Sequence, residues 1–241
     1  GGLLGFSLGS ATVAVLAEVL GASAMEAWGW RLPFAMGALV AVLGLWMRRQ
    51  MPETLQPSSE QAAIHSGADL LAAMGGRLRE VGGQWRLVLR IGALVSFANV
   101  VFYVLFVYLV DYSGNQGGSS VAAANTTATV IQTLGLPLVV LGGVLVDRYG
   151  KVPINRMGNL LLAITTPVVL PLVQLAGPRG LLIGQALGVL PVMLTMGAQG
   201  VMAVEMVSER QRCTVFSIAY SLAMALFAGT SPLVCSWLLE K

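Results

Sequence analysis

Apolar positions along the 241 residues run together in seven long stretches, at about 3–24, 30–48, 87–110, 121–146, 154–176, 179–204 and 213–238. Each is long enough, at about 1.5 Å per residue, to cross a hydrocarbon core of about 30 Å. A segment facing lipid must satisfy its own backbone N–H and C=O groups, and barrel strands need only about ten alternating residues. Runs this long and unbroken therefore predict helices. The expected fold class is all-α, a polytopic transmembrane helix bundle.

Composition agrees with that pattern. Hydrophobic residues make up 56% and charged residues 10% of the chain, and mean hydropathy is +0.78, whereas soluble domains carry about 25% charge. The net charge of +3 does not point to nucleic acid, because the basic residues sort by loop. Arg48, Arg49, Arg77, Arg79, Arg86, Arg90, Arg148, Lys151, Arg156, Arg210 and Arg212 fall on one side of the alternating segments. Only Arg31, Arg179 and Lys241 fall on the other. Cytoplasmic loops collect Lys and Arg, so the N-terminus of this segment is expected inside and its C-terminus outside. The bilayer is an expected partner and nucleic acid is not.

Cys213 and Cys235 stand near opposite ends of the last stretch, about 33 Å apart if it is helical, too far to bridge each other. The chain opens on Gly1 without a signal-peptide pattern, which suggests a fragment. The longest connection, 49–86, divides two apolar stretches from five, a split natural for a piece of a larger pseudo-symmetric membrane protein. Gly5 and Gly9, and Gly180, Gly184 and Gly188, recur at helical spacing and predict close helix approach. Pro137, Pro167 and Pro171 fall inside predicted helices and are expected to bend them.

The densest charge in an apolar setting is "GGVLVDRYGK", residues 142–151. Gly143 is expected to allow close helix contact, Asp147 to pair with a basic group or cap the next helix, and Gly150 to permit the turn. Arg148 and Lys151 would hold the loop inside. The spacing Gly143-x-x-x-Asp147-Arg148-x-Gly150-Lys151 resembles the signature loop of the major facilitator superfamily, G-x-x-x-D-R-x-G-R/K. Residues 28–54, "WGWRLPFAMGALVAVLGLWMRRQMPET", resemble the sixth helix of that superfamily's metabolite:proton symporter branch. Residues 203–238 resemble its tenth-to-eleventh helix junction through Glu205, Arg210, Arg212, Thr214, Tyr220, Gly229, Thr230 and Pro232, with Ser208 and Ser221 replacing the pattern's proline and asparagine.

The resemblance implies a partial major facilitator fold spanning the fifth to eleventh helices. Residues 1–48 would be the last two helices of the N-terminal bundle, 49–86 the central cytoplasmic loop, and 87–241 the C-terminal bundle lacking its last helix. It implies a multi-pass protein of the bacterial cytoplasmic (inner) membrane, monomeric and without cofactor. It further implies proton-coupled symport of a small organic acid or zwitterionic metabolite by alternating access, with the charged loop as a gating latch and Glu205, Arg210 and Arg212 as a cytoplasmic charge network.

Cavity-lining candidates come from the seventh and tenth helices, which line the cavity in that superfamily. Asn99, Tyr103 and Phe106 share a face at i, i+4, i+7; Gln185, Met196 and Gln199 share another. Polar groups inside spans need a partner or water, which makes Tyr103, Gln185 and Gln199 candidates for the substrate path. Glu18, an acid within a span, is a candidate for proton coupling. No metal site is expected, since the single histidine, His65, lies in a predicted loop. A seven-helix receptor or sensor is the alternative. A retinal protein is excluded because Lys151 and Lys241 lie outside the helices, and an enzyme would need clustered His, Asp, Glu or Cys.

Overall fold

The computed structural model describes residues 2–50, 75–76, 79, 81–115 and 118–239. Most of the 49–86 connection, His65 included, lies outside them. The elements are α1 (Gly2–Ala24), a π-turn (Met25–Gly29), α2 (Arg31–Gln50), α3 (Trp85–Tyr103), a π-turn (Val104–Tyr108), α4 (Leu109–Asn115), α5 (Val121–Tyr149), α6 (Lys151–Glu205), a 3-10 turn (Glu209–Gln211), α7 (Arg212–Ala223), a π-turn (Met224–Ala228) and α8 (Ser231–Leu239). No strand occurs among the described residues. Six helical rods among them are long and apolar enough to span a membrane. Their outer surface carries exposed Leu134, Leu160, Ile164, Leu175 and Leu233, so the chain is an integral, multi-pass membrane protein.

Six rods accommodate seven apolar stretches because α6 is two helices. Its 55 residues would reach about 80 Å if straight, far beyond one bilayer. Gly177, at φ 51° and ψ −126°, breaks the helix in the positive-φ half of the backbone map, which glycine enters without strain. The two limbs then fold back on each other. Gly180 lies against Leu172, Gly184 against Val169 and Gly158 against Thr195, pairs that converge on Gly177 as in an antiparallel hairpin. The helices continue past Pro137, Pro167, Pro171 and Pro191, although each lacks the N–H for one rung of the hydrogen-bond ladder.

Local chemistry sets the other ends. Ser120 caps α5, its side chain accepting from the Ala123 N–H at 3.1 Å. Gly150, at φ 90°, ends it by donating its N–H to the Val146 carbonyl at 2.8 Å. Hydroxyls within the spans donate to carbonyls four residues back, as Thr126 does to Ala122 and Thr165 to Leu161, which removes an unpaired donor from the apolar surroundings.

Packing centres on α5, which lies against both α6 and α1, while α3 packs on α6 and α7. One apolar core joins Phe102, Leu105 and Leu109 to Ala128, Leu162, Val169, Val192 and Met193. A second joins Ile91 and Val95 to Ala203, Val207, Val215 and Ala219. By contrast α2 touches α1 only slightly, and Phe34, Leu39, Leu43 and Trp46 stand exposed on it.

The small-residue expectation divides. Gly180, Gly184 and Gly188 do meet neighbours, the last against Leu105. Gly5 and Gly9 have open space where a side chain would go, because α1 flanks a cavity there instead of a helix. Gly143 is also open, and the close approach belongs to its neighbour Gly142, set against Leu194. Adding a Cβ at Gly180 would drive it into the Leu172 carbonyl, backbone that cannot yield locally. Gly180→Val is therefore expected to destabilise the hairpin by about 1–3 kcal/mol and Gly5→Ala to leave stability unchanged, as read from thermal melting followed by size-exclusion chromatography in detergent.

Candidate functional site

Between α1, α3, α5, the second limb of α6 and α7 lies a cavity of about 550 Å³. Asn99, Tyr103, Met196 and Gln199 line it together. Two of the three residues on the predicted α3 face and two of the three on the predicted α6 stripe thus meet in one space. Asn99 is buried and its amide nitrogen donates to the Val95 carbonyl at 2.6 Å. Gln199 is 5% exposed, and its Oε1 has no hydrogen-bond partner among the described residues.

The other two cavity candidates lie elsewhere. Phe106 lines a separate space of about 640 Å³ with Ser10, Asp111, Asn115 and Asn125. The straight i, i+4, i+7 register fails because Val104–Tyr108 is π-helical. The wider turn takes an extra residue and rotates the later positions off the Asn99–Tyr103 face. Gln185 lines neither space. Fully buried, it donates from Nε2 to the Leu105 carbonyl at 2.9 Å, inside that same π-turn, where the altered hydrogen-bond ladder leaves a carbonyl to be satisfied. It joins the second limb of α6 to the π-turn that follows α3.

Sequence reasoning missed the aromatic share of the 550 Å³ cavity. Phe6 from α1, Phe102 from α3 and Phe216 and Tyr220 from α7 line it. Phe6 meets Phe102 edge-on with ring centroids 5.0 Å apart, and Phe216 lies 5.7 Å from Tyr220. The i, i+4 spacing of Phe216 and Tyr220 was a visible signal, but neither α1 nor α7 is one of the two helices expected to line the cavity.

The charged groups gather at one end of the bundle. Lys151, opening the first limb of α6, forms an ion pair with Glu205, closing the second. The charged loop and the 203–212 segment, far apart in sequence, are thereby tied together. Asp147 is exposed and neither pairs nor caps α6 among the described residues; the N-cap there is Gly150, without a side-chain bond. Arg148 is exposed too, with its guanidinium 5.6 Å from the Tyr149 ring centre. Arg212 is half-buried, with Nε lacking a partner among the described residues, and the side chain of Arg210 lies outside them. Beside this end the Gln84 amide donates to Gln211 Oε1 at 2.6 Å. Glu18 is exposed near the Gly21 break of α1 and lines neither cavity. No cluster of potential metal ligands occurs among the described residues.

The profile of the Major Facilitator Superfamily matches residues 2–238. The chain belongs to that superfamily. It is similar to the ectoine/proline transporter ProP of Corynebacterium glutamicum, 29% identical across all of this chain and 49% of that protein. It is also similar to the α-ketoglutarate permease of Escherichia coli, 27% identical over 92% of this chain and 49% of the permease. A citrate-proton symporter of Klebsiella pneumoniae is 28% identical over 93% of this chain and 49% of its own length. The chain spans about half the length of these curated relatives. No solved structure matches it significantly. In this superfamily member, the five-helix cavity and the charged tie at one end of the bundle are the two features from which function has to be argued.

With Lys151 and Glu205 37% and 50% exposed, the pair is screened by solvent and worth about 0–1 kcal/mol. A double-mutant cycle on Lys151→Ala and Glu205→Ala, read by chemical denaturation in detergent, is expected to show coupling in that range that fades at high salt. Gln185→Leu, which strands the Leu105 carbonyl, is expected to destabilise more, by about 1–3 kcal/mol.

Proposed function

We propose that this chain forms the cavity-bearing part of a proton-coupled secondary transporter that moves a small organic acid or zwitterion by alternating access. The observation that carries the reading is the 550 Å³ cavity, where Asn99, Tyr103 and Gln199 meet from different helices inside the spans. A space of that size suits a small metabolite, and buried polar groups within membrane helices cost energy unless a partner or ligand satisfies them. The names of the relatives, transporters of ectoine and proline, α-ketoglutarate, and citrate with protons, support the same class. The receptor alternative has no such support.

In this reading the Lys151–Glu205 pair holds one end of the bundle closed, and Asp147, Arg148 and Gly150 form the loop that positions Lys151. Arg210 and Arg212 complete a charge network that re-pairs as the protein alternates. The basic end faces the cytoplasm of a bacterial inner membrane, with the N-terminus of this segment inside, and the transporter works as a monomer. Residues 1–48, 49–86 and 87–241 act as the end of one bundle, its connection and the second bundle. Phe106 and the 640 Å³ space lie on the solute's route past the main cavity, and Gln185 keeps α3 in register with α6. Glu18 serves coupling from the surface of α1, away from the cavity.

Uptake by the full-length gene product in proteoliposomes tests the reading. A pH gradient, acid outside, is expected to drive accumulation that a protonophore abolishes. Gln199→Leu and Tyr103→Leu should lower kcat/KM about tenfold or more, in line with losing one buried polar contact to the solute. Asp147→Asn should slow turnover with KM unchanged. Accumulation indifferent to the gradient would remove the coupling claim, and Glu18→Gln with wild-type pH dependence would remove the role given to Glu18.

A further inference from the structure

The 550 Å³ cavity also carries information about which end of a solute it holds, provided that the chain is a transporter as proposed above. Five aromatic rings line it from three helices, Phe6 on α1, Phe102 and Tyr103 on α3, and Phe216 and Tyr220 on α7. Phe102 and Tyr103 have centroids 6.2 Å apart and planes at 70°, so their faces are turned in different directions. Among the described residues, none that lines the cavity is charged.

The amides beside these rings offer oxygens. The nitrogen of Asn99 is committed to the Val95 carbonyl, which leaves its oxygen as the free acceptor. Gln199 is almost wholly buried, and its Oε1 has no donor among the described residues. A buried acceptor without a donor is rare in folded proteins and calls for a ligand or water. The hydroxyls of Tyr103 and Tyr220 turn to donate or accept and favour neither sign. Acceptor oxygens and the negative faces of aromatic rings attract a cation or an N–H donor. A carboxylate set against these side chains would find no Arg or Lys among the described lining residues to balance its charge.

We propose that this cavity binds the ammonium end of a small zwitterion, with the oxygens of Gln199 and Asn99 turned towards its positive charge, accepting an N–H where the solute has one, and the five rings surrounding it. The carboxylate end points away from these seven side chains. Di- and tricarboxylates, which have no cationic end to place here, are poor solutes for it.

The experiment uses the full-length gene product in proteoliposomes with labelled L-proline, glycine betaine, α-ketoglutarate and citrate. Two competitors keep the shape and the carboxylate but remove the positive nitrogen: cyclopentanecarboxylate for proline and tert-butylacetate for glycine betaine. Uptake of proline or glycine betaine is expected, with the uncharged isostere competing at least about tenfold more weakly than the zwitterion itself. Phe216→Leu should raise KM for that zwitterion about threefold or more, and the isostere comparison stands on the wild-type protein whether or not the variant folds. Uptake confined to α-ketoglutarate or citrate, or an isostere that competes as well as the zwitterion, overturns this inference and leaves transport standing. Accumulation of none of the four overturns the transport reading and this inference together.

Discussion

Within a bilayer's hydrocarbon there is no water to hydrogen-bond a stray donor or acceptor, and the other features of this chain depend on meeting that condition. The backbone meets it by being helical across the spans. Side chains meet it locally: Thr126, Thr165 and Thr195 each return a hydroxyl to a carbonyl four residues earlier. Where the backbone ladder departs from the α pattern, at the Val104–Tyr108 π-turn, a side chain from another helix intervenes, and Gln185 supplies the donor for Leu105. The same condition gives meaning to the exceptions. An amide oxygen without a donor among the described residues beside a cavity, as in Gln199, is a place where a ligand or water can donate.

Close packing in this bundle is selective. Apolar side chains gain little by leaving lipid for another apolar surface, so helix association depends on fit and on the approach that small residues permit. Gly180, Gly184 and Gly188 provide that fit along the second limb of α6, against Leu172, Val169 and Leu105. The α1 glycines, identical in spacing, provide the opposite, an unfilled flank that borders the 640 Å³ space. The same small-residue spacing thus gives tight contact on one helix and open space on another, according to what each helix faces.

The ion pair between Lys151 and Glu205 illustrates how weak interactions are used at an interface with water. Partly exposed, it adds little to stability. A bond worth so small a fraction of the total stability can break and re-form without unfolding the bundle. Arg212, half-buried with an Nε that lacks a partner among the described residues, and the exposed Asp147 are close enough in the chain to this end to offer other pairings.

The sequence by itself determined the all-α membrane fold, the number and limits of the apolar stretches, and the family, because hydropathy is a sum over residues and a signature loop is a spacing along the chain. It also placed Asn99 with Tyr103 and Met196 with Gln199, since each pair shares one uninterrupted helix and helical phase holds over a turn or two. Only the tertiary structure decided that these two pairs face one cavity, that Phe6, Phe216 and Tyr220 join them, and that Phe106 and Gln185 do not. A π-turn shifts phase without a legible mark in the sequence, and Gln185 finds its partner 80 residues away. The same holds for Lys151 and Glu205: their charges were plain, but their meeting depends on α6 folding back at Gly177, which brings its two ends to the same side of the bundle.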